Sequence, residues 1–226
     1  MLEESHVSTS SEESSELDKQ EGTEVKVTQR DGFLCKVWLK THVKFPASRV
    51  FDVLAQPDNS HIFRSIKAIT YRKVLEDDHK GKQRCEIEHE AEWKFLMFGG
   101  RFRTRLYVSQ DRQAGKLDFQ LAEPGMMKNF EGKWSIKPAQ SPAEQSALKP
   151  PRWLHLPQWA SREAGDDNEA TCLELEQSVC PNVIPPPPLD RLLKGIAKKQ
   201  VLNVVEDLRK EIDRIKKEEA KAKQKA

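Results

Sequence analysis

His89 has the widest chemical repertoire of any side chain in this sequence. It stands in the period-2 row Cys85, Ile87, His89, Ala91, Trp93, Phe95 and Met97, whose other members are all apolar. An imidazole there can act as a general base, a metal ligand or a hydrogen-bond partner. A general base needs a nucleophile or an orienting carboxylate within reach, and the pattern offers only Tyr71 or Thr104 as companions. A metal site needs clustered ligands, whereas the six histidines are scattered and Cys35, Cys85, Cys172 and Cys180 lie far apart with no C-x-x-C pair. Those cysteines read as free thiols of a reducing compartment. Glu86, Glu88, Glu90 and Glu92 resemble a carboxylate cluster, but at period 2 they share a face with Arg101, Arg103 and Arg105 of the next strand and pair with them in water. No catalytic residue, metal or cofactor is expected. Two roles remain for His89: hydrogen bonding to a ligand carbonyl or hydroxyl, or a core histidine satisfied by a neighbour.

These side chains need a sheet to position them. Phe33 to Val43 alternates as a strand, Pro46 opens a helix from Ala47 to about Ala55, and a second short helix or turn is expected over His61–Ile66. A meander follows: a strand near Ala68–Leu75, the long strand Arg84–Phe98, a turn at Gly99-Gly100, and a return strand with Phe102, Thr104, Leu106 and Val108 inward. Leu117, Phe119 and Leu121 mark one further strand, Phe130 to Ile136 another, and Thr171–Val179 the last. Residues 138–169, with five prolines and the apolar cluster Trp153, Leu154, Leu156 and Trp159, predict a long loop. After Pro185 to Pro188, an amphipathic helix over Leu189–Lys217 directs Leu193, Ile196, Val204 and Leu208 at the sheet. The architecture is α+β: about six to seven curved antiparallel strands around a long C-terminal helix, with two short helices after the first strand.

Charge sets the boundaries. Residues 1–28 hold eight acidic side chains against Lys19 and Lys26, and predict a disordered tail. Residues 29–217 form the domain, and 218–226 a basic disordered tail with a weak pull toward anionic membrane surfaces. A net charge of +2, with basic and acidic residues interleaved, argues against nucleic acid. No apolar run is long enough to span a membrane and no transit-peptide pattern is visible, so a soluble protein is expected. Oligomeric state is not encoded in any pattern.

Phe130-Glu131-Gly132-Lys133-Trp134-Ser135-Ile136, preceded by Leu117-Asp118-Phe119-Gln120-Leu121, resembles the plant and cyanobacterial "polyketide cyclase/dehydrase and lipid transport" proteins. Those are relatives of the coenzyme Q-binding proteins in the START-like (SRPBCC/Bet v 1-like) superfamily. Val50 to Leu54, Pro57-Asp58 and Ile62-Phe63 are similar to the first helix of that family and the turn after it, except that Arg64 stands where a proline is usual. The resemblance implies a helix-grip fold and a chloroplast location. It also implies an apolar cavity between sheet and C-terminal helix for a lipid, quinone or isoprenoid. The inward and gate-like residues assigned to that ligand are His89, Trp93, Met97, Phe102, Leu106, Phe119, Met126, Met127, Phe130, Trp134, Leu193 and Ile196. A cyclase or dehydratase using the same cavity, and a protein-interaction module, are the alternatives.

Overall fold

Alternation of apolar and charged side chains builds a single sheet. The computed structural model describes residues 17–20, 22–95, 98–139, 169–183 and 189–225. Among these, nine strands pair antiparallel: β1 (Leu17–Gln20), β2 (Thr23–Thr28), β3 (Cys35–Val43), β4 (Ile66–Asp77), β5 (Lys82–Phe95), β6 (Phe98–Asp111), β7 (Lys116–Leu121), β8 (Met127–Pro138) and β9 (Thr171–Pro181). Their spatial order is β1-β2-β3-β9-β8-β7-β6-β5-β4. Two helices complete the fold, α1 (Ala47–Leu54) and α2 (Leu189–Lys225). This is the expected α+β helix-grip architecture with more strands than the sequence pattern suggests.

Pro46 caps α1 with φ fixed at −59°, and its carbonyl accepts the amide of Val50. The helix stops at Leu54 because Pro57 disfavours helical backbone in the residue before it. Its buried face, Val50, Phe51 and Val53, packs on β8 and β9. On α2, Val201, Val205, Leu208 and Ile212 are buried, and the helix packs on β2 and β3. Leu193 and Val204 are half-buried against the same core. Between the helices and the sheet lie Val37, Leu39, Leu173, Leu175, Trp134 and Ile136, each large aliphatic side chain contributing about 1.5–3 kcal/mol by its burial.

Four expectations are corrected. Where an acidic tail was expected over 1–28, β1 and β2 extend the sheet; residues 1–16 and 21 lie outside the described residues. Val25 and Val27 alternate with Glu24 and Lys26, and that short period-2 run pairs with the otherwise open edge of β3. Where a second tail was expected over 218–226, α2 continues to Lys225. Alanine, lysine and glutamate favour helix there, helped by the Arg214–Glu218 pair at 2.6 Å and the Arg49–Glu219 pair at 2.5 Å. Over His61–Ile66, where a second short helix or turn was expected, the chain makes a pair of turns and no helix, closed by Phe63 N–H to Asn59 O and Ile66 N–H to Phe63 O. Finally, Gly99-Gly100 is not the hairpin turn. Trp93 pairs with Gly100, Lys94 with Gly99 and Phe95 with Phe98, so both glycines lie inside β6. The register runs unbroken from Lys82–Asp111 to Phe95–Phe98; residues 96–97 lie outside the described residues, as do 140–168, where the long loop is expected, and the prolines at 185–188.

Arg64, the departure from the family pattern, has a structural use. Its backbone N–H donates to Asp207 Oδ2 at 3.0 Å and its Nε to Asp207 Oδ1 at 2.7 Å, tying the turn before β4 to α2. A proline has no N–H to donate there. Asp207 is only 7% exposed, so losing both donors strands a carboxylate away from water. Arg64→Pro is expected to cost about 3 kcal/mol and Arg64→Ala, which keeps the N–H, visibly less. Urea midpoints measure both; equal losses would remove the backbone bond from the account.

Candidate functional site

Among the described residues, the helices pack over only part of the sheet's inner face. The helices pack on β2, β3, β8 and β9, so β4 to β6 carry their inward side chains at the other side of the curve. Pairing sets the rungs of that face: Cys85 opposite Val108, Ile87 opposite Leu106, His89 opposite Thr104, and Ala91 opposite Phe102. Ile69 of β4 stands beside His89. Leu106 and Cys85 are buried, while Ile69, Ile87, His89, Phe102, Thr104 and Val108 are half-buried. Such a surface, apolar with a few convergent polar groups, suits a small apolar ligand.

The structure divides the residues assigned to a ligand into groups. Trp134 is buried in the core, and Phe119, Phe130 and Leu193 pack against it, so these four fill space under the helices, while Met127 touches the core from its margin. The Phe119 and Phe130 rings meet at 5.2 Å with a 37° tilt. Ile196 is half-buried on α2. His89, Phe102 and Leu106 sit together on the half-covered face. Met126 is exposed at the loop before β8; with Met127, Thr104 and Leu121 it borders a small hollow of about 70 Å³ that the charged side chains Glu88, Arg103, Arg105 and Glu123 also line. Trp93 is placed by its backbone pairing alone, and Met97 lies outside the described residues.

Gly132, at the centre of the F-E-G-K-W stretch, is explained by this packing. It pairs with Phe119, and a Cβ at that position would collide with the Phe119 ring and the Glu176 carbonyl oxygen. The glycine therefore lets an aromatic ring lie flat across the strand.

A larger hollow, about 660 Å³, opens on the opposite face, bordered by Arg30, Lys36, Arg84, Tyr107, Glu131 and Glu176 among others. Sequence reasoning passes over it because that face reads as solvated charge. Arg30 donates to Glu131 at 2.6 Å and to Ser178 at 2.7 Å, and Glu176 takes Lys36 at 2.7 Å and Lys133 at 3.5 Å. With its charges satisfied by one another in open solvent, this groove gives a ligand little to gain. The half-covered apolar face is the stronger site. Among the residues of this face not assigned to the ligand, Thr104 and Ile69 stand opposite and beside His89, and only the register across the strands places them there.

Burial lowers the His89 imidazole from its ordinary 6.5 to about 4, so it is neutral at physiological pH. The sign of the linkage follows. Between pH 6.5 and 4 the unfolded chain binds a proton at this position that the folded chain refuses, so stability falls as pH drops through that window. The loss has an upper bound of about 3 kcal/mol, trimmed because the side chain is only half-buried. Glu211, held below the usual carboxylate range by Arg214, loses its contribution only below the ordinary glutamate value. His89→Gln should therefore flatten the stability profile between pH 6.5 and 4.5 while leaving the steeper acid limb. An unchanged profile from urea titrations across this range would show that the imidazole is solvated in the folded state.

The STAR-related lipid transfer protein from Xanthomonas axonopodis superposes with a TM-score of 0.53 at 13% identity, covering 88% of this chain and 98% of that one. Human STARD10 gives 0.53 at 10% identity over 87% and 71%, and the human StarD13 lipid transfer and protein localization domain 0.50 at 10% over 86% and 88%. At these identities the likeness is one of fold, and the fold is START-like. No curated protein matches the sequence. A family model described as "Domain of unknown function DUF220" matches residues 24–218.

Proposed function

The chain belongs to the DUF220 family, and we propose that it binds a hydrophobic small molecule, a lipid, quinone or isoprenoid, and carries or shields it. The observation that supports this most is the division of the inner face: helices over β2, β3, β8 and β9, and a half-buried apolar surface on β4 to β6. Exposed apolar surface of this kind is costly in water unless something covers it. The structural neighbours are named for lipid transfer, which makes a lipid the first class to test. His89, Phe102 and Leu106 would touch the ligand, with Met126 and Met127 as adaptable walls at the rim. Trp134, Phe119, Phe130 and Leu193 form the packed floor. Ile196, and the side chains of Trp93 and Met97, belong to the same proposal.

A reaction finds less support. The glutamates of β5 point to the opposite face, where Glu88 pairs with Arg105 at 3.0 Å and Glu90 with Arg101 at 3.2 Å. That leaves His89 without a carboxylate on its own rung. No described helix is long and apolar enough to cross a membrane; the lysine-rich end of α2 supports a transient surface contact during loading. A chloroplast location follows only from the family resemblance and is tested by locating the full-length chain in cells.

The deciding experiment is native mass spectrometry of the full chain purified from its own host, before and after solvent extraction. A bound apolar molecule released near one per chain is the expected result. An unchanged mass, with nothing apolar in the extract, would overturn the reading.

A further inference from the structure

His89 and Thr104 stand opposite one another on β5 and β6, both half-buried on the apolar face. Neither side chain has a hydrogen-bond partner among the described residues. Their polar atoms are open to solvent, so a ligand that covers them must replace the hydrogen bonds it takes away. Their neighbours along the strands are Ile87 and Leu106 on one side, Ala91 and Phe102 on the other. In the direction of Ile87, the next polar rung is Gln83–Gln110. There Gln110 donates to Gln83 at 3.0 Å, and Gln83 in turn donates to Asp77 at 2.7 Å. From His89 to Gln83 is six residues of strand, about 20 Å, with Ile87, Leu106, Cys85 and Val108 on the rungs between. The face therefore offers one polar pair at one end of a band long enough for a hydrophobic body.

We infer that the bound molecule is an uncharged amphiphile, an apolar body carrying one hydroxyl or carbonyl oxygen, which His89 and Thr104 hold jointly. The inference rests on the binding function proposed above. A neutral imidazole offers one donor and one acceptor, and a threonine hydroxyl can do either. A carbonyl oxygen accepts from both side chains; a hydroxyl donates to one and accepts from the other. A carboxylate or phosphate would bring a full charge with no cation to meet it on this rung. Arg72, the cation that β4 places on this face, is turned to Gln83 Oε1 at 2.8 Å, and Arg101, Arg103 and Arg105 lie on the opposite face. Burying that charge unpaired is disfavoured far more than burying an alcohol.

The test uses the full chain, stripped of lipid, with four fluorescent or fluorescence-quenching probes. All-trans-retinol, retinal and retinoic acid share one skeleton and differ only in carrying a hydroxyl, a carbonyl or a carboxylate. N-phenyl-1-naphthylamine, uncharged and largely apolar, reports the surface itself. Retinol and retinal are expected to bind about tenfold tighter than retinoate. His89→Leu and Thr104→Val should each weaken retinol about tenfold and leave N-phenyl-1-naphthylamine unchanged. Thr104→Val is nearly isosteric and carries the comparison if His89→Leu does not fold. Retinoate binding as tightly as retinol, neither retinol nor retinal binding while N-phenyl-1-naphthylamine does, or retinol affinity unmoved by both variants, overturns the polar anchor. Failure of N-phenyl-1-naphthylamine to bind the parent overturns the binding function itself.

Discussion

Leu208→Asp should leave the domain unfolded at ordinary temperatures, while Lys199→Asp on the opposite side of the same helix should shift the urea midpoint hardly at all. Leu208 is fully buried, with Val205 and Ile212 on the same stripe of α2. Deleting its side chain alone removes about 2–5 kcal/mol. The introduced carboxylate must also be buried or neutralised, beside Asp207 and Glu211, which are already buried and acidic. The sum reaches the whole stability of an ordinary domain, about 5–15 kcal/mol. Lys199 is exposed, and substitutions of that kind change stability by about half a kcal/mol or less. Circular dichroism and urea titration of the two variants, with Leu208→Ala as an intermediate, give the ranking. A folded Leu208→Asp with a near-parental midpoint would mean that α2 is not the element packed against the sheet.

That helix was among the most legible parts of the chain, because its stripe at three- and four-residue spacing runs for many turns. The β5–β6 ribbon was legible for the same reason. A strict period of two over fourteen residues set both faces, and the pairs Glu88–Arg105 and His89–Thr104 follow from it. The reversal between them was not. A glycine pair is the strongest local turn signal, yet glycine is also tolerated inside a strand, and only the full ladder of pairings decides between the two. The turns near Phe63 failed to become a helix because Asn59 and Arg64 spend their hydrogen bonds on a tight reversal and on α2.

For the candidate site, periodicity told which face each aromatic shares but not how far along that face the helices reach. Phe119, Phe130, Trp134 and Phe102 have the same inward phase. Only their distance from α1 and α2 separates three core residues from one that lies in the open part. His89 was singled out by being polar in an apolar row, a signal that survives folding. Thr104, one of two companions the pattern offered it, is set opposite it only by the register, which leaves Tyr71 on another rung. Nothing in residue types could show that the large charged hollow is occupied by its own ion pairs, since those depend on Arg30 meeting Glu131 across a hundred residues of sequence.

The amino-terminal segment carries the other large expected effect. Removing residues 1–16 should leave stability within experimental error, whereas removing 1–28 should cost several kcal/mol and provoke aggregation. The second deletion takes β2 away from β3, where six residue pairs, Thr23–Thr41 through Thr28–Lys36, join them. Val25, 1% exposed, leaves the core at about 1.5–3 kcal/mol. The buried hydrogen bond between the Thr23 and Thr41 hydroxyls, 2.9 Å, is lost with it. Arg209 of α2 donates to both hydroxyls, at 3.1 and 2.8 Å, so the deletion also loosens the helix from the sheet. What remains is a bare edge on β3, with unpaired backbone groups along a nine-residue strand, a template for pairing with another chain. Thermal midpoints of the two truncations, with light scattering to detect association, separate the outcomes. Equal stability of both would show that β2 adds nothing to the domain and that the segment behaves as the tail its composition suggests.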